Sequence, residues 1–138
     1  MSKKIVLIPC VSEKKEGTHK AKNLYVSSLF RLCFEYAESL NPDKIFILSA
    51  KHGLLDIEQE IEKYDETLNT MRKNERIAWA HHVISDLRSK TDLQNDEYVI
   101  LAGAKYRENL INHIHHYTLP LEGLRIGEQM AWLKEHSR

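Results

Sequence analysis

A three-layer α/β/α fold around a mostly parallel sheet of about four strands is what this sequence predicts. Three observations point there. The apolar runs "IVLIP" (5–9), "KIFILSA" (44–50) and "EYVILAG" (97–103) are nearly continuous rather than alternating. Such runs suit strands buried on both faces, as parallel strands are. Segments with apolar residues at helical spacing lie between them. Strand–helix alternation with crossovers of this length gives right-handed βαβ units.

Taken in order, 5–9 is the first strand. Residues 24–40 then place Val26, Leu29, Phe30, Cys33, Phe34, Ala37 and Leu40 on one helical stripe, and Asn41-Pro42-Asp43 ends it. The strand 44–50 follows. Segment 51–72 is long and mixed, with room for a short helix. Residues 74–90 carry a second stripe through Ile77, Ala80, Val83, Ile84 and Leu87. After the strand 97–103 come shorter helices at 106–117 and 127–136, with a weaker strand, "YTLPL" (117–121), overlapping the end of the first. Trp79 and Trp132 read as packing anchors.

At 138 residues the chain fits one domain, 1–138, large enough to bury a core without staples. Twenty Lys and Arg balance twenty Asp and Glu, so the basic field of a non-specific DNA binder is absent. Nucleic acid is therefore not the favoured partner. No apolar run approaches the roughly 18 residues of a membrane span, and none has the form of a signal peptide. The two cysteines, Cys10 and Cys33, show no paired spacing. Together these predict a cytoplasmic protein with free thiols and no membrane partner. No cofactor is called for. The dinucleotide glycine fingerprint, the phosphate-binding P-loop and the α/β-hydrolase serine elbow are all missing. The histidines do not make a metal set: His81-His82 and His115-His116 are adjacent and splay apart, and His113 and His115 point to different faces.

Each strand is followed by a polar stretch. "CVSEKK" follows the first, "KHGLL" and then "EKYDETL" the second, "GAKYREN" the third and "EGLRIGEQ" the fourth. In an open parallel sheet these stretches converge at the carboxyl ends of the strands, where such folds bind ligands. The candidate site residues are therefore Ser12, Lys14, Lys51, His52, Tyr64, Asp65, Lys105, Tyr106, Arg107, Glu128 and Gln129. Local cations in a neutral chain point to an anionic small molecule or nucleotide. Plainer roles stand beside these: Lys14 as a solvated charge, His52 as a turn cap, Tyr64 and Asp65 as a clamp on the long loop. Cys10 is a small residue at a strand end or, with its pKa lowered by lysines, a nucleophile.

The strings "IPCVSEKK", "LYVSSLFRLCFEYAE", "FILSAKHGLLD", "YDETLNTM", "AGAKYRE" and "PLEGLRIGEQMAWL" resemble, in that order, a bacterial and phage domain-of-unknown-function family. Its members are often described as similar to the peroxide-stress protein YaaA. Pro9, Cys10, Ser12, Lys14, Tyr64 and Asp65 also give a fainter similarity to a domain of archaeosine synthase, with Val11 interrupting its Cys-Ser pair. Such domains look like uracil-DNA-glycosylase folds in outline. The resemblance implies a nucleobase, nucleoside or nucleotide ligand. An enzyme acting at a glycosidic bond would use Asp65 to orient water or stabilise a developing sugar cation. His52 would serve as acid to the leaving base, and Lys14, Lys105 and Arg107 would hold phosphate. A module that binds a nucleotide signal without catalysis is the alternative, and a DNA-binding stress protein a third.

Overall fold

The computed structural model describes residues 2–10 and 14–137. Among these described residues seven strands form in chain order: β1 (Lys4–Pro9), β2 (Thr18–Lys20), β3 (Lys44–Ser49), β4 (Gly53–Asp56), β5 (Glu60–Glu62), β6 (Glu97–Ile100) and β7 (His116–Thr118). The helices are α1 (Ala21–Leu24), α2 (Ser28–Ser39), α3 (Lys73–Lys90), α4 (Ala104–Arg107) and α5 (Ile126–His136), with 3₁₀ turns at Leu68–Thr70 and Ile111–His113.

The main sheet has five strands in the order β4-β3-β1-β6-β7. β1 pairs in parallel with β3 and β6, β6 in parallel with β7, and β4 antiparallel with β3. The mostly parallel α/β expectation therefore holds, with one strand more than the four expected. That fifth strand is β4. Gly53 lies at φ +70°, which lets the three residues Ala50-Lys51-His52 close a hairpin that sends the chain back along β3. This hairpin stands where a short helix had room in the sequence. β2 and β5 form a separate two-stranded antiparallel ribbon.

Side chains of β1 alternate between the faces of the sheet. Ile5 and Leu7 pack with Phe46, Leu48, Tyr98 and Ile100 beneath Trp79, Ala80, Val83, Ile84 and Leu87 of α3. Val6 and Ile8 pack with Ile47 beneath Leu32, Cys33 and Ala37 of α2 and Leu133 of α5. Two cores on opposite faces follow from the period of two in a strand, and they account for the unbroken apolar runs. Helices cover both sides of the sheet.

The shorter helix expected over 106–117 is a correction. α4 stops at Arg107, a 3₁₀ turn follows, and β7 begins at His116. Asn109, Asn112 and His113 are weak helix formers. Leu110 and Ile114 instead turn inward against the α3 core, and the His115 N–H donates to the Leu93 carbonyl at 3.0 Å. Pro120 follows β7 closely and cannot supply a ladder N–H. Among the described residues no helix is long and apolar enough to cross a membrane.

Candidate functional site

The strand order fixes where a ligand site belongs. From β1 the chain crosses through α2 on one face to β3. It returns through α3 on the other face to β6, on the far side of β1. The connections thus diverge between β1 and β6, and open α/β sheets bind ligands at the carboxyl end of such a divergence. Cys10 directly follows β1. Tyr106, in α4, follows β6. The Cys10 thiol donates to the Tyr106 phenol oxygen at 3.5 Å, so the pair spans this point.

A cleft of about 310 Å³ opens there, lined by Cys10, Lys14, Asp65, Glu66, Thr67, Asn69 and Tyr106. Four of these residues come from the loop after β5. Its two anchors explain how it is held. Tyr64 is buried in the core beneath α2, and Leu68 in the core beneath α3. The loop is therefore strapped across the end of the sheet and pinned on both faces. The tip is tied to α4 as well: the Leu68 N–H donates to the Tyr106 phenol oxygen at 3.4 Å, and the Thr67 hydroxyl lies 3.4 Å from it. The Trp79 ring stands edge-on to Tyr106 at 5.7 Å.

Behind the cleft runs a chain of buried hydroxyls. Ser49 Oγ accepts from the His52 N–H at 3.0 Å and donates to the Tyr64 phenol oxygen at 2.8 Å. Tyr64 and Tyr25 share a hydrogen bond of 2.6 Å. The Ser49 carbonyl accepts from the Trp79 indole N–H at 2.8 Å, which fixes α3 to the end of β3. The Lys14 ammonium sits 4.4 Å from the centre of the Tyr64 ring, and a backbone bridge joins Lys14 to Tyr25.

Burial sets the electrostatics. It pushes the Tyr25 and Tyr64 phenols well above their ordinary range and Tyr106 up to about 12. These hydroxyls stay protonated at neutral pH, so each keeps a proton that it can donate. Burial also lowers the Lys14 pKa, against the pull of Cys10, Asp65 and Glu66. Burial and then the neighbouring Lys51 lower that of His52, so its neutral form is favoured.

The structure gathers Lys14, Asp65 and Tyr106 at the cleft, with Tyr64 directly behind. Ser12 lies outside the described residues. His52 stands edge-on to Tyr64 at 5.4 Å and does not line the cleft. Lys51 is exposed on the β3–β4 hairpin, and Lys105 is exposed on α4, outside the lining. The Arg107 guanidinium donates to the Ala102 carbonyl at 3.0 Å and lies 3.9 Å from Glu122. Glu128 accepts from the Arg125 N–H at 2.8 Å, capping α5. Gln129 donates to the Leu124 carbonyl at 3.0 Å. The cations expected around a phosphate are thus dispersed. The described lining holds two carboxylates and one ammonium.

Sequence reading singled out Asp65 but not Glu66, Thr67 or Asn69, nor the supporting Ser49 and Tyr25. The string "YDETLNTM" held the signal: buried Tyr64 and Leu68 are four residues apart, and polar side chains fill the interval. Among the described residues no three His, Cys, Asp or Glu side chains gather as a metal site would need.

Fold and cleft together define a doubly wound α/β protein with a polar pocket where its connections diverge. The chain belongs to a family of unknown function, DUF6884, whose pattern matches residues 5–135. No curated protein and no solved structure matches it significantly. The family match carries no link to peroxide stress or to archaeosine synthesis.

Proposed function

We propose that the cleft binds a nucleobase, nucleoside or nucleotide and that its chemistry is cleavage at the glycosidic bond. The observation that carries this reading is the cleft itself. It stands at the divergence of β1 and β6, with Asp65 and Glu66 on one loop and Lys14 and the Tyr106 phenol among its walls. A sugar developing positive charge is stabilised by a fixed carboxylate, and Asp65 and Glu66 supply that charge. Thr67 and Asn69 offer donors and acceptors for the edge of a base. Tyr106, kept protonated, replaces His52 as the hydrogen-bond donor to a departing base nitrogen. The balance of charge favours a nucleoside or monophosphate over a di- or triphosphate, because two carboxylates repel extra phosphate groups.

A second reading is binding without turnover. Asp65 and Glu66 are exposed, and an open site forgoes the exclusion of water that strengthens electrostatic catalysis. DNA binding is weaker than either, since affinity for DNA rests on phosphate neutralisation and the chain has no net charge.

The experiment screens bases, nucleosides and nucleotides by thermal shift, then incubates the best ligand with the protein and looks for released base by chromatography. At 100 times Kd a ligand stabilises by about 2.7 kcal/mol, which such a screen detects. Asp65→Asn is expected to leave the melting temperature near wild type and to lower turnover by about 10²–10⁴-fold. Lys14→Ala is expected to weaken affinity first. Binding without released base at high protein concentration leaves the signal-binding reading. If no member of the set shifts the melting temperature, both readings fall.

A further inference from the structure

We propose a second small-molecule site, on the other side of Tyr25 from the carboxylate cleft, for an amphipathic anion. The ligand class is an aromatic or aliphatic body bearing one carboxylate, sulfonate or phosphate group. The site rests on its own observations and stands or falls apart from the glycosidic reading.

A cleft of about 340 Å³ opens between residues 22–28 and the first turns of α2, within the range of small-molecule sites. Aromatic rings back it: Tyr25 and Phe30 are buried, at 5% and 3% exposure, and Phe34 is half-buried. Tyr25 and Phe30 have ring centres 4.9 Å apart, and Phe34 stacks on Phe30 at 6.3 Å with 21° between the planes. Beside them Val26 is 47% exposed, although most large hydrophobic side chains of the described residues are covered. An apolar side chain left open next to a ring wall offers area that a ligand body can remove from water.

The charge on this cleft is opposite to that of the first. Lys15, Lys22 and Arg31 line it against Glu35 alone. Arg31 pairs with Glu35 at 3.1 Å, and Lys22 with Glu58 at 2.6 Å. Lys15 is exposed and has no ion-pair partner among the described residues. Exposed pairs hold weakly, so Arg31 can turn from Glu35 toward a ligand anion at little cost. The site thus selects two things at once: a body for the ring wall and a negative group for the rim. The opposite charges of the two clefts direct an anion to this one.

The probe is 8-anilinonaphthalene-1-sulfonate, with its uncharged relative N-phenyl-1-naphthylamine as the comparison, and fluorescence and calorimetry as readouts. The sulfonate is expected to bind saturably with one-to-one stoichiometry, to weaken as salt rises, and to bind about tenfold tighter than the uncharged probe. Val26→Asp and the pair Lys15→Glu/Arg31→Glu change exposed side chains and are expected to keep the far-ultraviolet dichroism and melting temperature of the wild type. Each is expected to weaken the sulfonate by about tenfold or more, while Asp65→Asn leaves it unchanged. Equal binding of the two probes, non-saturable fluorescence, or undiminished binding to the well-folded variants overturns the proposal. If a variant fails to fold, the two-probe comparison on the wild type decides alone.

Discussion

The phenol oxygens of Tyr25 and Tyr64 lie 2.6 Å apart, buried, with Ser49 Oγ 2.8 Å from the second. Tyr64 is the middle of the chain and serves both neighbours. Tyr64→Phe keeps the ring and its packing but leaves two buried hydroxyls without this partner. A loss of about 1–3 kcal/mol is expected for stranded buried polar groups, measured by urea unfolding. Tyr25→Phe, at the end of the chain, is expected to cost less, whereas Ser49→Ala also strands the His52 N–H and is expected to cost about as much as Tyr64→Phe. An unchanged midpoint for Tyr64→Phe would show that the hydrogen bonds contribute nothing net.

The same hydroxyls predict alkaline sensitivity. Burial raises the Tyr25, Tyr64 and Tyr106 pKa values in the folded state, Tyr106 to about 12. In the unfolded chain a tyrosine ionises near pH 10, at about its ordinary value. Below that value both states hold their protons and the stability is fully present. As pH rises from about 10 toward the folded values, the unfolded state sheds protons that the native state keeps, so stability falls. Denaturation midpoints measured from pH 8.5 to 11 are expected to drop over the upper part of that range. A flat series contradicts the assignment.

Cys10 and Cys33 should separate under a thiol reagent. Cys10 is half-buried at the cleft, whereas Cys33 is enclosed in the core and burial pushes its thiol up to about 12. The folded protein is expected to release one equivalent rapidly with Ellman's reagent and the second only in denaturant. A ligand that fills the carboxylate cleft should slow the first. Cys10→Ser removes the fast phase. If it survives that substitution, the placement of the two thiols is wrong.

Gly53 carries the β3–β4 hairpin at φ +70°, and a Cβ built there would stand 3.1 Å from His82 Cδ2. Gly53→Ala is expected to destabilise by about 1–2 kcal/mol from the left-handed backbone alone, with a further cost for displacing the imidazole. Adding His82→Ala should recover the steric part and leave the backbone part. The double-mutant cycle, read by thermal melting, checks this.

The sequence made some of this legible and hid the rest for identifiable reasons. Strands β1, β3 and β6 were visible because burial on both faces leaves no charged residue within 5–9, 45–48 or 98–100. Helices α2 and α3 were visible through their apolar stripes, and the helix expected over 127–136 is α5. The hairpin was not: "SAKHGLL" looks like a strand end, and only the positive φ at Gly53 turns it back. The site was half legible. Collecting the polar residues that follow strands found Lys14, Asp65 and Tyr106, which line the cleft. It also gathered Lys51, Lys105, Arg107, Glu128 and Gln129. Of these, Arg107, Glu128 and Gln129 turn to local partners, the Ala102 carbonyl, the Arg125 N–H and the Leu124 carbonyl, which a count of residue types after strands does not weigh.

The strap between Tyr64 and Leu68 has a consequence for how such a protein can vary. Its two bolts sit in separate cores, while residues 65, 66, 67 and 69 contribute to the cleft. Substituting at the bolts changes hydrophobic volume and puts folding at risk. Substituting at the exposed positions Asp65, Glu66 and Asn69 changes chiefly the chemistry offered to a ligand. Recognition can therefore drift within one short stretch of chain while the scaffold holds still, and relatives built on this frame have the means to diverge in what they accept without having to relearn how to fold.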